Sequence, residues 1–219
     1  MLSDILQFLL GGRLLSEDYA FNWLALPHFL AAAMIFITGI MIGRWEQGSR
    51  IGRVFAAFSA IFAVWVAGRG MVQLLTNEEM VVLVSRNLFA IAAVALPMAL
   101  TAISVMLYNE RERRYFIMSN WVIAFVFVLI AVNTSWLVSD AKRYSWGLEP
   151  QFGPAGYALM LWILVLVIVT TSDYVRSYRA ASAGGSERRR LKWFGAALLS
   201  LYLAASQFPP TLIDSHGTF

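Results

Sequence analysis

Cysteine is absent from the 219 residues, and histidine occurs only as His28 and His216. The first absence excludes disulfide scaffolds, thiolate zinc sites, iron–sulfur ligation and thiol nucleophiles. The second leaves too few imidazoles for most metal or haem sites, and a dihaem subunit would need stacked pairs at two depths. No metal and no cofactor is expected. Charge is scarce too: 14% of the residues are charged and 59% hydrophobic, with a mean hydropathy of +0.66, whereas a soluble domain carries about 25% charged residues. A chain with so little solvating surface belongs in a lipid bilayer, its first expected partner. The net charge of +4 is no sign of nucleic acid here, because basic residues of membrane chains gather in loops on one side.

Crossing about 30 Å of hydrocarbon takes roughly 20 apolar residues in a helix. Six segments meet that length, at 24–42, 54–75, 88–108, 121–139, 157–172 and 193–208. Runs such as Trp121-Val-Ile-Ala-Phe-Val-Phe-Val-Leu-Ile130 are apolar all round, unlike the alternating strands of an outer-membrane barrel. The expected fold is therefore all-α, a polytopic bundle over 24–208.

Short loops rich in Lys and Arg stay in the cytoplasm. Arg44, Arg50 and Arg53 follow the first span, and Arg111, Arg113 and Arg114 follow the third. Arg176, Arg179, Arg188, Arg189, Arg190 and Lys192 follow the fifth. Opposite these twelve stand Arg13, Arg86, Lys142 and Arg143, with Arg69 inside a span. The distribution predicts both termini outside, in a multi-pass protein of the inner (cytoplasmic) membrane. Residues 1–23 lack the basic leader of a cleavable signal. Their Leu2, Ile5, Leu6, Leu9 and Leu10 share a helical face, which predicts an amphipathic segment at the outer interface. The loop at 139–156 and the tail at 209–219 face outward in this scheme, and 180–186 is a small-residue cytoplasmic linker. Pro97 falls mid-span, where it bends a helix unless neighbours satisfy the freed carbonyl.

Arg69 is the one full charge well inside a span, a placement that costs about 2.5 to 3.5 kcal/mol on insertion scales. It lies about 9 Å below the outer end at Leu75 by helical rise. Two explanations stand: snorkelling or pairing with Glu78 or Glu79, or contact with an anionic or polar ligand in an outward cavity. Gly68 and Gly70 beside it admit close approach of another group. At similar depth lie His28, Gln73, Asn133, Ser135, Trp136, Tyr157, Trp162, Tyr202, Ser206 and Gln207. An interfacial aromatic belt accounts for the rings and interhelical hydrogen bonds for the amides, unless they line a pocket. Gly39-Ile-Met-Ile-Gly43 permits close helix contact, within the chain or across a homodimer. Asp173 is expected to pair with a nearby Arg at the cytoplasmic surface, and Asp214 with His216 lacks a third metal ligand.

The missing groups discriminate further. Ion-coupled transport normally uses intramembrane carboxylates, and the six spans contain none. A retinal protein needs a mid-span Lys, whereas Lys142 and Lys192 lie in a loop and at an edge. No catalytic triad, glycine-rich phosphate loop or carboxylate pair assembles in the membrane, so the chain does not read as an enzyme.

Several short motifs carry a resemblance. They are Gly52-Arg-Val-Phe-Ala-Ala-Phe with Trp65, Glu79-Met-Val-Val-Leu-Val-Ser-Arg86 ahead of a Pro-containing span, and Asn133 near an outer end. Phe152-Gly-Pro154 and Arg188-Arg-Arg-Leu-Lys-Trp-Phe194 complete the set. Over about residues 25–210 the chain resembles the N-terminal seven-helix sensory region of bacterial membrane histidine kinases and related cyclases. Where such proteins often continue through Pro and His, Asn133 is followed here by Thr134, Ser135 and Trp136. The resemblance implies a sensor whose kinase or cyclase domain requires a seventh crossing beyond 209–219. The expected function is a receptor module that binds a small or lipidic ligand in an outward cavity and signals by helix rearrangement. The expected ligand-binding residues are Arg69, Gln73, His28, Asn133, Trp136, Tyr157, Trp162, Tyr202 and Gln207. The other open reading is a structural accessory subunit of a larger membrane complex.

Overall fold

The computed structural model describes residues 19–45, 49–107, 110–144, 146–181, 188 and 191–192. The amphipathic segment expected over 1–18, the sixth span with Tyr202, Ser206 and Gln207, and the tail with Asp214 and His216 lie outside them. Five helices among the described residues are long and apolar enough to cross a membrane, the pattern of a multi-pass membrane protein. They are α1 (Ala25–Trp45), α2 (Arg50–Val72), α3 (Glu78–Met106), α4 (Glu110–Asn133) and α5 (Pro154–Ala180).

Caps extend the helices past the apolar runs. Ser49 accepts a hydrogen bond from the Gly52 amide, so α2 begins in its basic loop. Asn77 accepts from the Glu79 and Met80 amides. With Glu78 and Glu79 set against the helix dipole in the first turn, α3 starts ten residues ahead of the expected Leu88. Pro97 does not interrupt that helix. At α5, Pro154 occupies the first turn, where a missing N–H goes unused.

Burial sets the arrangement. More than half of the apolar stretch of α3 is buried, 56%, against 17–28% for the other four helices, so α3 is the central helix. One core cluster joins Trp65, Val66 and Val72 of α2 to Val81, Leu88 and Ala92 of α3 and Ala32 of α1. The other joins Phe89, Ala93 and Leu100 of α3 to Ala124 and Phe127 of α4 and Leu159 and Trp162 of α5. Gly39 lets α1 and α2 close together, since a Cβ there would lie 2.6 Å from Ser59 Cβ. The small-residue motif is thus used within the chain.

The expectation of a purely helical bundle needs one correction. The segment read as an outward loop is an antiparallel hairpin, β1 (Val138–Tyr144) with β2 (Gly147–Phe152). Val138, Ala141 and Leu148 are buried while Ser139, Asp140, Lys142 and Arg143 are exposed, so the hairpin has an apolar side that rests on α3. Gly147 takes φ +145°, which favours glycine at the turn. Leu137 and Val138 join one core cluster and Ala141 and Leu148 the other. The hairpin therefore stitches the two halves of the bundle together at one end.

Candidate functional site

The chain crosses the bundle end in three layers. Tyr19 bridges Leu75 and the Ala20 amide donates to the Leu74 carbonyl at 2.8 Å, laying residues 19–22 over the α2–α3 turn. Asn22 Nδ2 then donates to the Trp146 carbonyl at 2.8 Å, fixing that strap to the hairpin turn. Arg86 Nε donates to the Val138 carbonyl at 3.1 Å, and Arg143 to the Thr76 carbonyl at 3.1 Å. These bonds hold the hairpin over the ends of α2 and α3.

Beneath it lies the one buried charge pair at this end among the described residues. Arg69 Nη2 donates to Glu149 Oε2 at 3.2 Å, with side-chain exposures of 17% and 7%. Gln73 Nε2 donates to the other carboxylate oxygen, Oε1, at 2.5 Å. Gln73 Oε1 is buried without a hydrogen-bond partner, beside the hairpin turn and 3.6 Å from where a Cβ on Gly147 would stand. The pairing expected with Glu78 or Glu79 does not form: both are exposed in the first turn of α3, and Arg69 pairs with Glu149 instead. Gly68 and Gly70 admit protein rather than ligand: Leu88 packs against the first, and Ala25 and His28 against the second.

The residues expected to share a pocket with Arg69 separate into groups. Gln73 joins it directly. His28 lies at the α1–α2 seam and hydrogen-bonds the Leu24 carbonyl through Nδ1 at 2.8 Å. Asn133 is exposed and donates to the Leu129 carbonyl of its own helix. Trp136 and Tyr157 are exposed as well, Tyr157 edge-on to Phe152. Trp162 forms a second, enclosed polar contact: its Nε1 donates to Asn120 Oδ1 at 2.7 Å while its ring stacks on Phe127 at 5.4 Å. The structure thus brings Arg69, Gln73 and the unforeseen Glu149 together, and leaves Asn133, Trp136, Tyr157 and Trp162 on the α4–α5 side.

The space beside the guanidinium is filled by Glu149, so the hairpin's carboxylate stands where an anion was expected. A separate cleft of about 750 Å³, including space open to the surroundings, runs between α2, α3 and α5. Phe58, Phe62 and Trp65 line one wall as a stacked row, with Ala92, Ala95 and Ala99 opposite. It offers hydrocarbon surface and no charge. At the other end of the bundle Arg113 pairs with Asp173. That pairing follows from position, but Asp173 is buried rather than solvated, because α5 continues past Ser172 to Ala180.

Glu149 is the residue that sequence reasoning missed, and with Asp173 it qualifies the statement that carboxylates stay out of the bundle. Its signal was faint: one acid among Pro, Gln and aromatic residues in a presumed loop. Among the described residues no group of three His, Asp or Glu is placed to hold a metal. No protein-family model, curated protein or solved structure matches this chain.

Proposed function

We propose that the chain is a transmembrane sensory module of the bacterial inner membrane, with the hairpin end outward and the arginine-rich loops in the cytoplasm. Six crossings, counting the apolar run at 193–208, give it this orientation. The observation that carries the reading is the buried Arg69–Glu149–Gln73 cluster, which latches an extramembrane hairpin to a membrane helix. A carboxylate from the protein itself neutralises the guanidinium through one N–H. A ligand bearing an anionic group, small or lipidic, competes with Glu149 for Arg69 and releases the hairpin from α2. Because the hairpin touches both core clusters through α3, its release alters how the two halves pack. Such a ligand acts only through different affinities for the latched and released states.

Trypsin tests this directly, because Lys142 and Arg143 lie within paired β1 and are cut only when the hairpin opens. Purified protein is digested with and without a panel of short-chain and long-chain carboxylates, and cleavage at these two positions is followed by mass spectrometry. The expected outcome is faster cleavage with an active carboxylate, fast cleavage without ligand in Glu149→Gln, and no ligand response in Arg69→Ala. An Arg69→Ala variant that responds like the wild type contradicts the reading.

A second reading, a structural subunit of a larger membrane complex, draws on α1. Phe29, Leu30, Met34, Ile37, Ile40 and Met41 are all exposed large apolar side chains on that helix. A partner's helices would cover them as readily as lipid does. Extraction in mild detergent separates the two: a stoichiometric co-migrating protein favours the subunit, and a lone monomer or dimer favours the sensor.

A further inference from the structure

At the arginine-rich end, α5 presents two unlike sides. Asp173 turns inward and takes Arg113 of α4. Arg176 and Arg179, on the following two turns, are exposed, and among the described residues neither forms an ion pair. With Thr171, Ser172 and Val175 they line a shallow open cleft of about 400 Å³. The Ser172 hydroxyl donates a hydrogen bond to the Ile168 carbonyl at 2.7 Å, so the two guanidinium groups are the principal donors in that cleft.

The same helical face continues upward as hydrocarbon. Leu161, Leu164, Val165 and Ile168 are exposed at steps of three and four residues, the spacing of one helical stripe, and Val175 carries it into the cleft. From Leu161 to Ile168 the apolar stripe is about 10 Å long by helical rise, and Arg176 lies about 12 Å beyond it, within the roughly 15 Å depth of one leaflet. An apolar stripe followed along the same face by two guanidinium groups matches the two parts of one molecule, an acyl chain and a phosphate.

We propose that this face of α5 is a binding site for an anionic glycerophospholipid, its acyl chain on the Leu161–Ile168 stripe and its phosphate between Arg176 and Arg179. The site depends on the helices spanning the bilayer and is independent of the Arg69 latch, so either idea can fail without the other. Phosphate satisfies both arginines through charge-assisted hydrogen bonds, whereas a choline headgroup sets its ammonium against them.

The test uses the full chain in nanodiscs of phosphatidylcholine doped with phosphatidylglycerol, released for native mass spectrometry. The expected result is one retained phosphatidylglycerol on the wild type. Arg176→Gln/Arg179→Gln is expected to lose it by about tenfold or more, the scale of one or two charge-assisted hydrogen bonds. Ser172→Glu, which places a like charge in the cleft and spares both arginines, is expected to lose it as well. Arg111→Gln/Arg114→Gln removes two exposed charges from the same end and is expected to retain it. Equal losses in the two arginine double variants, or equal retention of phosphatidylcholine by the wild type, overturn the proposal.

Discussion

Removing one member of the Arg69–Glu149 pair and removing both are different experiments. Glu149→Ala strands a largely buried guanidinium, and breaking such a pair from one side costs about 3 kcal/mol or more. The double variant Arg69→Met/Glu149→Leu leaves no unmatched charge and is expected to melt higher than Glu149→Ala, by thermal unfolding in detergent. If both variants melt together, the pair is not coupled and the latch has no energetic basis. Gln73 is a subtler participant, since its amide donates to Glu149 while its oxygen has no partner. Gly147→Val forces a β-branched side chain into φ +145° next to Asn22 and Gln73. That substitution is expected to cost about 1 to 3 kcal/mol and to raise tryptic cleavage in the hairpin; unchanged cleavage would show that the turn does not hold the latch.

The elements differ in how far the sequence disclosed them. Arg69 was legible because a lone charge in an apolar run is conspicuous, and α1 to α5 because hydropathy reports long lipid-facing stretches. Their starts were not, because Ser49 and Asn77 act through one or two local hydrogen bonds that no average over apolar residues contains. The hairpin was hidden for a related reason. Its turn lacks an Asn-Gly pair, Pro150 argues against a strand, and Glu149 meets Arg69 across 80 residues of chain. Periodicity reports local order and is silent on such pairings. The α1–α2 seam offers the clearest test among the elements. A Cβ at Gly39 meets Ser59 Cβ at 2.6 Å, whereas at Gly43 the nearest atom, Ala56 Cβ, is 3.2 Å away. Gly39→Ala is expected to destabilise by about 1 to 3 kcal/mol and Gly43→Ala by less, as read from melting temperatures; the reverse order would place the tight contact elsewhere.

For the molecule as a whole, α3 is the shared wall between the α1–α2 half and the α4–α5 half, and the hairpin is the tie that closes both at one end. Under the proposed function, a signal read at the hairpin would pass to the arginine-rich end through this one central helix. That route has meaning only if the two ends lie on opposite sides of a membrane, with the hairpin outside. The chain contains no cysteine, so single cysteines introduced at exposed positions report sidedness without background. Ser139→Cys, in the hairpin, and Arg111→Cys, exposed in the first turn of α4 at the arginine-rich end, are treated with a membrane-impermeant maleimide in intact cells and again after lysis. The account predicts that the Ser139→Cys variant is labelled in intact cells and the Arg111→Cys variant only after lysis. Labelling in the opposite order would put the latch in the cytoplasm and contradict an outward-facing sensor.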